Sequence, residues 1–368
     1  MFRIFGWSFG VTAVALAGAF WLGGLEVMLL VGILSILEIS LSFDNAVINA
    51  TVLRRMTEKW QKLFLTVGIL IAVFGMRLLF PLLIVAITAG LNPVEAVRLA
   101  IEHPDLYAEK LHEAHPAIAA FGGMFLAMIF LDFIFEDRDI RWISFIEKPL
   151  ARLGSLDQLS VIVAGIALLV SAATFASGVS ETILFAGLAG IVTYLAVNAL
   201  ASFFEVEADD PEIDEIGGIH RGADAPPIAA PAQSTDAMAA AGKASFFLFL
   251  YLEVLDASFS FDGVVGAFAI TSNIFIIAVG LGVGAMYIRS LTVFLVRKGT
   301  LGEYVYLEHG AHYAIGALAI LLMVSSTYDV PEVVTGLIGI AFIGAAFIAS
   351  LIRRKSESAK PSPEHAAI

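Results

Sequence analysis

Long apolar stretches separated by short polar segments dominate this sequence. About 20 apolar residues in a helix are enough to cross the hydrocarbon core of a bilayer, and ten stretches of that kind can be read along the chain. They predict an all-α polytopic membrane protein with about ten transmembrane helices. The predicted spans are 5–24, 25–53, 63–90, 117–135, 159–176, 182–203, 244–270, 274–296, 311–326 and 333–352.

The basic residues fall almost entirely on one side of these alternating spans. Of the 21 Lys and Arg residues, 17 lie on that side, whereas Arg98 and Lys110 lie on the other and Arg77 and Arg289 lie inside spans. An excess of Lys and Arg marks the cytoplasmic loops of membrane proteins. We therefore expect a multi-pass protein of the plasma (inner) membrane with both termini in the cytoplasm and the lipid bilayer as its surroundings.

The composition excludes several classes of protein. Hydrophobic residues make up 59% of the chain and charged residues 15%, whereas an average soluble domain is about 25% charged. The absence of cysteine removes thiolate metal sites and cysteine nucleophiles, and the net charge of −13 argues against a nucleic-acid partner. The chain has no phosphate-binding loop, nucleophile elbow or H-E-x-x-H motif. We expect neither enzyme activity nor a resident cofactor.

A short motif occurs twice, 218 residues apart, as SLSFDNAV at 40–47 and SFSFDGVV at 258–265. Each copy has an acidic residue six positions before its aspartate and is followed by a span with one arginine. The copies fall on the second and seventh spans, so two five-helix halves would have opposite orientations, as in the inverted repeats of secondary transporters. The predicted organisation is a first membrane repeat (1–180), the span that begins the second repeat (181–204), a disordered acidic, Pro/Ala-rich cytoplasmic linker (205–243), the rest of the second repeat (244–352) and a disordered cytoplasmic tail (353–368).

Polar residues within the motif-bearing spans form the candidate functional site. Those of the second span recur at spacings of three and four, so they share one helix face, and the seventh span carries an equivalent stripe. Carboxylates inside a membrane are costly and usually functional, and oxygen ligands suit Mg²⁺, Ca²⁺ or Mn²⁺. The candidate metal ligands are Glu38, Asp44, Asn45, Glu253, Asp256 and Asp262, with Ser42, Ser260, Arg77 and Arg289 in supporting roles.

The two motif aspartates, Asp44 and Asp262, lie one residue off these stripes, which is about 100° around an ideal helix. Either they face another neighbour, or the helices are interrupted near 42–45 and 260–263. We favour an interruption at both motifs, because unwound segments supply carbonyl ligands in transporters.

The acids of the site outnumber its arginines, five to two. The excess negative charge must be neutralised by a divalent cation, by protons or by both. Acid–arginine pairs that only hold the two halves together are the alternative interpretation.

Two further groups carry candidate chemistry. Glu308, His309 and His312 open the ninth span, where they either cap the helix or share a metal. The acidic, histidine-containing loop 92–115 is either a solvated amphipathic hairpin, which we favour, or a vestibule for cations.

Several stretches resemble the TerC family of integral membrane proteins. The run EISLSFDN at 38–45 resembles the family's first motif, and EVLDASFSFD at 253–262 is similar to its E-x-x-D-x5-D motif. TSNIF at 271–275, IRSL at 288–291 and YLEHG at 306–310 resemble the stretches that follow in the family. The resemblance covers spans two to four and seven to nine. The chain departs from the family pattern at Gly263, where serine is usual, and in a longer spacing from Asn273 to Arg289.

The resemblance implies tellurium resistance, manganese export and kinship with the LysE-type transporter superfamily. The family's acidic positions carry over to Glu38, Asp44, Asn45, Glu253, Asp256 and Asp262. Together with the residue-level reading, it predicts a transporter that exports a divalent cation, with manganese foremost, in exchange for protons. The alternative is a non-transporting membrane scaffold that binds protein partners of a metal- or tellurite-stress or secretion complex through the cytoplasmic linker. Export of an amino acid or oxyanion is a third possibility, which the excess of carboxylates disfavours.

Overall fold

Helices make up all the regular secondary structure in the residues that the computed structural model describes, which are 2–68, 71–154, 156, 158–209, 235–271, 273–298, 304–328 and 330–358. The helices are α1 (Phe2–Leu41), α2 (Phe43–Leu53), α3 (Glu58–Leu63), α4 (Phe80–Thr88), α5 (Pro93–Glu102), α6 (Pro104–Phe135), α7 (Ser144–Leu153), α8 (Leu159–Ala173), α9 (Ser180–Asp209), α10 (Thr235–Ile270), α11 (Ile274–Lys298), α12 (Leu307–Ser325) and α13 (Glu332–Ser358). Two π-helical segments, Phe64–Gly68 and Ile71–Leu79, connect α3 to α4.

Six helical segments of the described chain are long and apolar enough to cross a membrane. They are Ile4–Ile39, Pro104–Phe135, Ser177–Leu200, Ile274–Val296, Leu307–Ser325 and Val334–Lys355. Large apolar side chains such as Trp21 and Phe185 are exposed on their outer faces, where hydrocarbon would cover them in a bilayer. The described helices are those of an all-α, multi-pass membrane protein.

The chain folds back on itself within α1, at Gly23–Gly24. Gly24 has φ +70°, a left-handed conformation that glycine adopts without a steric penalty. On the N-terminal side of this turn, Ser8 Oγ lies 2.7 Å from Ser290 Oγ, near the end of α11. On the other side, Ser35 Oγ donates to the carbonyl of Gly280, near the start of α11. The two halves of α1 therefore run in opposite directions along α11, and the reversal lies at the boundary that the sequence predicts between the first two spans.

The centre of the fold is α6, which packs against α9, α10 and α12. Lipid tails are as apolar as leucine, so helices in a membrane associate mainly through close packing, and small residues allow their backbones to approach. The contact of α6 with α9 illustrates this, because a Cβ added at Gly190 would lie only 2.3 Å from the carbonyl oxygen of Phe121. This close packing, with buried side chains such as Phe125 and Met124, gives the motif-bearing helices a rigid frame.

Helix ends differ from the predicted span ends where helices continue beyond the apolar stretch. The predicted span 117–135 is the second half of α6, which begins at Pro104, a residue well suited to the first turn of a helix. Helix also occupies both ends of the predicted linker, since α9 extends to Asp209 and α10 begins at Thr235 within an alanine-rich stretch. The middle of that linker, 210–234, and the end of the tail, 359–368, lie outside the described residues.

Candidate functional site

A small cavity lies where α2, the first π-helical segment, α10 and α11 meet. Its volume is about 40 Å³, which is enough for a bound water or a desolvated cation. Six of its lining side chains come from the predicted stripes or their arginines, and Asn49 continues the stripe of α2 by one turn. The lining comprises Ser42, Asn45, Asn49, Phe64, Leu65, Gly68, Arg77, Glu253, Asp256, Ala285, Ile288, Arg289 and Thr292.

A hydrogen bond joins the two motif-bearing helices at this cavity. The side-chain nitrogen of Asn45 on α2 donates to Asp256 Oδ1 on α10 over 2.6 Å, and both residues are buried. A hydrogen bond to an ionised group in a buried setting is shorter and stronger than one between neutral groups. The motif-bearing helices thus meet through the polar stripes that the sequence predicts.

Glu253 presents the least compensated carboxylate of the cavity. Its side chain is 8% exposed, and neither carboxylate oxygen has a hydrogen-bond partner among the described residues. The Oδ2 atom of Asp256, one turn further along α10, also lacks a described partner. Gly68 forms the facing wall, because a Cβ added there would lie 3.4 Å from Glu253 Oε1. Buried oxygens of this kind carry a desolvation cost that a cation or a proton would relieve.

Glu38 has a different environment from Glu253, because its charge is already compensated. The guanidinium of Arg77 contacts Glu38 Oε1 as a buried ion pair, and Ser42 Oγ donates to the same oxygen over 2.7 Å. Arg77 and Ser42 both line the cavity. Glu38 contacts them but does not itself line the cavity. Two glycines allow this placement, since a Cβ at Gly284 would lie 2.5 Å from Glu38 Cβ and one at Gly263 would lie 3.2 Å from Glu38 Oε2.

The π-helical geometry of the predicted third span also serves the site. A π-turn pairs each amide with the carbonyl five residues back and often marks functional positions. Arg289 Nε on α11 donates to the carbonyl of Leu65, in the first π-helical segment, over 2.7 Å. Arg77 lies in the second such segment. The sequence gives no signal for these π-helical segments.

The structure brings most of the predicted site residues together. Ser42, Asn45, Arg77, Glu253, Asp256 and Arg289 line the cavity, and Glu38 contacts two of them. The side chain of Ser260 is buried without a described partner and lies outside the lining found among the described residues. The side chains of Asp44 and Asp262 lie outside the described part of the structure. Within that part, no three acidic or histidine side chains converge closely enough to hold a metal ion by themselves.

The predicted helix interruption occurs at one motif only. Ser42 separates α1 from α2 with φ −102° and ψ 14°. In contrast, α10 runs without a break from Thr235 to Ile270, so the interruption predicted near 260–263 is wrong. No proline disrupts the hydrogen bonds there, and Gly263 provides close approach to Glu38 rather than a bend.

The residues that open α12 make structural contacts. Glu308 forms an ion pair with Arg138 at 3.1 Å, and His309 Nε2 lies 3.0 Å from the carbonyl oxygen of Ile140. The Nδ1 atom of His312 lies 2.8 Å from the backbone carbonyl oxygen of Glu308, and its ring stacks on Phe133. These contacts favour the capping interpretation over a shared metal.

The loop 92–115 is largely helical. Asn92 and Glu95 form a reciprocal capping box at the start of α5, and the first turns of α6 complete a hairpin with exposed acidic side chains such as Glu109. This arrangement agrees with the solvated hairpin that we favour from the sequence.

Comparison with known proteins identifies one family. No match is found among curated proteins or among solved structures. The family model described as a protein of unknown function, DUF475, matches residues 43–357. That range includes α2, α10 and α11, which carry most of the cavity lining, and it covers more than four-fifths of the chain. The chain therefore belongs to the DUF475 family of proteins of unknown function.

Proposed function

We propose that this protein is a transporter that moves a divalent cation across the membrane in exchange for protons, with Mn²⁺ as the foremost substrate and export as the direction. The observation that carries the proposal is the pair formed by Glu253 and Asp256. Three of their four carboxylate oxygens lack a described partner, and both buried side chains line the same cavity. Buried carboxylate oxygens without hydrogen-bond partners are stabilised by a metal cation or a proton that reaches them.

The oxygen donors of the cavity support a hard divalent cation. Carboxylates, an amide and hydroxyls line it, and such ligands suit Mg²⁺, Ca²⁺ and Mn²⁺. The resemblance of the two motifs to the TerC family is the argument for placing manganese first. The carboxylates of Asp44 and Asp262 belong to the proposed ligand set through that resemblance and through their place in the repeat.

The proposal includes two inverted five-helix repeats and termini on the cytoplasmic side. The duplicated motif, the reversal of the chain at Gly23–Gly24 and the bond between Asn45 and Asp256 support it. Because the chain has no cysteine, single cysteines introduced in the loops can be labelled from either side of a sealed vesicle. Labelling of position 110 from the side opposite to position 59 is the expected result.

The central experiment is metal-dependent proton flux in proteoliposomes. We expect Mn²⁺ to drive a pH change in the wild type, and Glu253→Gln or Asp256→Asn to reduce it by about tenfold or more, because each variant removes a carboxylate that the proposal assigns to the cation. Glu102→Gln is the matched control, because Glu102 is an exposed acid that does not line the cavity, and its loss should leave the flux unchanged.

The outcomes separate the candidate functions. Flux retained in both cavity variants would refute the site assignment. Absence of flux in the folded wild type with Mn²⁺, Mg²⁺ and Ca²⁺ would refute transport and favour the scaffold function. Deletion of 210–234 would then be expected to abolish the scaffold function.

A further inference from the structure

The short helix α7 lies across the end of a membrane-spanning helix. Gly154, which follows α7, packs against the end of α6 so closely that a Cβ there would lie 1.9 Å from the carbonyl oxygen of Phe135. The chain then enters α8 at Leu159. Thus α7 ends near the level at which α6 ends.

A buried glutamate fixes the other end of α7. Glu147 accepts the backbone N–H groups of Trp142 and Ile143, each over 3.0 Å, and the hydroxyl of Tyr313 over 3.1 Å. Tyr313 lies in the second turn of α12, a long apolar helix that begins at Leu307. A helix tied to the end of α6 and the beginning of α12 lies along the membrane surface rather than across it.

These attachments determine which face of α7 is turned outward. Glu147 and Ala151 are buried, whereas Phe145 is 82% exposed and Leu153 is 51% exposed. At about 100° per residue, Lys148 and Arg152 share one flank of the outward face, and Phe145 and Leu153 share the other. Exposed Leu156 extends the apolar flank beyond the helix. One apolar flank beside one basic flank is the pattern of helices that lie in the lipid interface.

We propose that α7 is an interfacial helix that inserts Phe145 and Leu153 among the acyl chains and binds anionic lipid headgroups through Lys148 and Arg152. The argument is charge complementarity together with the position of α7 at the membrane surface, where basic residues next to a spanning helix attract anionic lipids. Two of the neighbouring acids, Glu136 and Asp137, form ion pairs with Arg138 and Arg141, whereas Asp139 is an exposed acid of the same connection. The inference does not depend on the transported substrate.

Depth measurements test the position of α7. Because the chain contains no cysteine, Phe145→Cys, Lys148→Cys and Leu153→Cys each give one site for a nitroxide label in the full-length protein. In nanodiscs of phosphatidylcholine and phosphatidylglycerol, labels at 145 and 153 should be relaxed more by oxygen than by a water-soluble nickel chelate, and the label at 148 should show the reverse. Equal access of the chelate to all three labels would overturn the proposal.

Lipid selectivity tests the basic flank. We expect wild-type protein to prefer spin-labelled phosphatidylglycerol over phosphatidylcholine, and Lys148→Gln to weaken that preference by up to about fivefold at low salt. Lys110→Gln is the matched control, because it removes the same charge from the opposite end of α6, where Lys110 contacts Glu113. The double variant Lys148→Gln/Arg152→Gln should lose more.

An unchanged phosphatidylglycerol preference in the double variant would overturn the headgroup assignment. Labels at 145 and 153 that are shielded in lipid-free detergent by a co-purifying protein would also overturn it, in favour of a protein partner.

Discussion

The ion pair between Arg77 and Glu38 provides the sharpest test of how charge is arranged in this fold. The two side chains are 3% and 1% exposed and contact each other directly. Replacing Arg77 by Met removes the guanidinium and keeps most of the apolar stem. Glu38 then remains buried, with Ser42 as its hydrogen-bond donor among the described residues.

The expected loss of stability follows from this burial. Two unit charges 4 Å apart attract by about 4 kcal/mol at an effective dielectric constant of about 20, and removing one partner of a buried pair costs about 3–5 kcal/mol. Ser42 retains a bond to the carboxylate, so we expect Arg77→Met to cost about 3 kcal/mol at the lower end of that range. Glu38→Gln should cost about 2 kcal/mol, because the amide oxygen can still accept from Arg77.

A double-mutant cycle measures the coupling. Reversible unfolding of purified variants in mixed micelles should give a coupling energy of about 2 kcal/mol for Arg77→Met with Glu38→Gln. The matched control is the pair Arg98 and Glu102, which is 3.7 Å apart with side chains 69% and 58% exposed; its coupling should stay below about 0.5 kcal/mol. A coupling near zero for the buried pair would refute the reasoning.

Three further substitutions probe the surroundings of the cavity. Gly284→Ala should lower the free energy of unfolding by about 2 kcal/mol or more in the same assay, since the new Cβ would lie 2.5 Å from Glu38 Cβ on α1. Gly344→Ala is the control and should be neutral, because a Cβ there would have no atom within 4 Å. Asn45→Leu should cost about 1.5–3 kcal/mol, because Asp256 loses a buried charge-assisted bond; a smaller loss would show that the bond is not maintained. Gly68→Ala narrows the space beside Glu253 and should reduce uptake of Ca²⁺ more than of Mg²⁺, since Ca²⁺ needs longer ligand distances; equal effects in proteoliposomes would contradict this.

The sequence predicts the parts of this structure that depend on local pattern. Hydropathy locates the long apolar helices because the bilayer imposes length and composition. The spacing of Ser42 and Asn45 along the chain predicts that they share a face, and both line the cavity. The glycine pair at 23–24 separates two apolar stretches, and there the chain reverses.

Features that depend on tertiary contact were not predictable in this way. Arg77 contacts Glu38, and Arg289 Nε donates to the carbonyl of Leu65; both contacts join segments that are distant in the sequence. The π-helical segments, which contain Leu65 and Arg77, likewise have no signal in the local sequence pattern. In the sequence, Gly68 and Gly284 cannot be distinguished from other glycines of the apolar spans. In the structure, Gly68 makes room for Glu253 and Gly284 makes room for Glu38, each from a distant part of the chain.

The two kinds of carboxylate in this site are suited to different tasks. An exchanger needs a carboxylate whose negative charge is neutralised by different partners during the transport cycle. A ligand that binds every conformational state with equal affinity does not shift the equilibrium between those states. Glu38 is held by a buried guanidinium, so a cation gains little by approaching it, and its substitution should act mainly on stability. Glu253 has no described partner for either oxygen, so a cation or proton gains the whole interaction, and its substitution should act mainly on transport. If Glu253→Gln lowers flux without lowering stability while Glu38→Gln does the opposite, the fixed and the exchangeable charges of the site are distinguished by experiment.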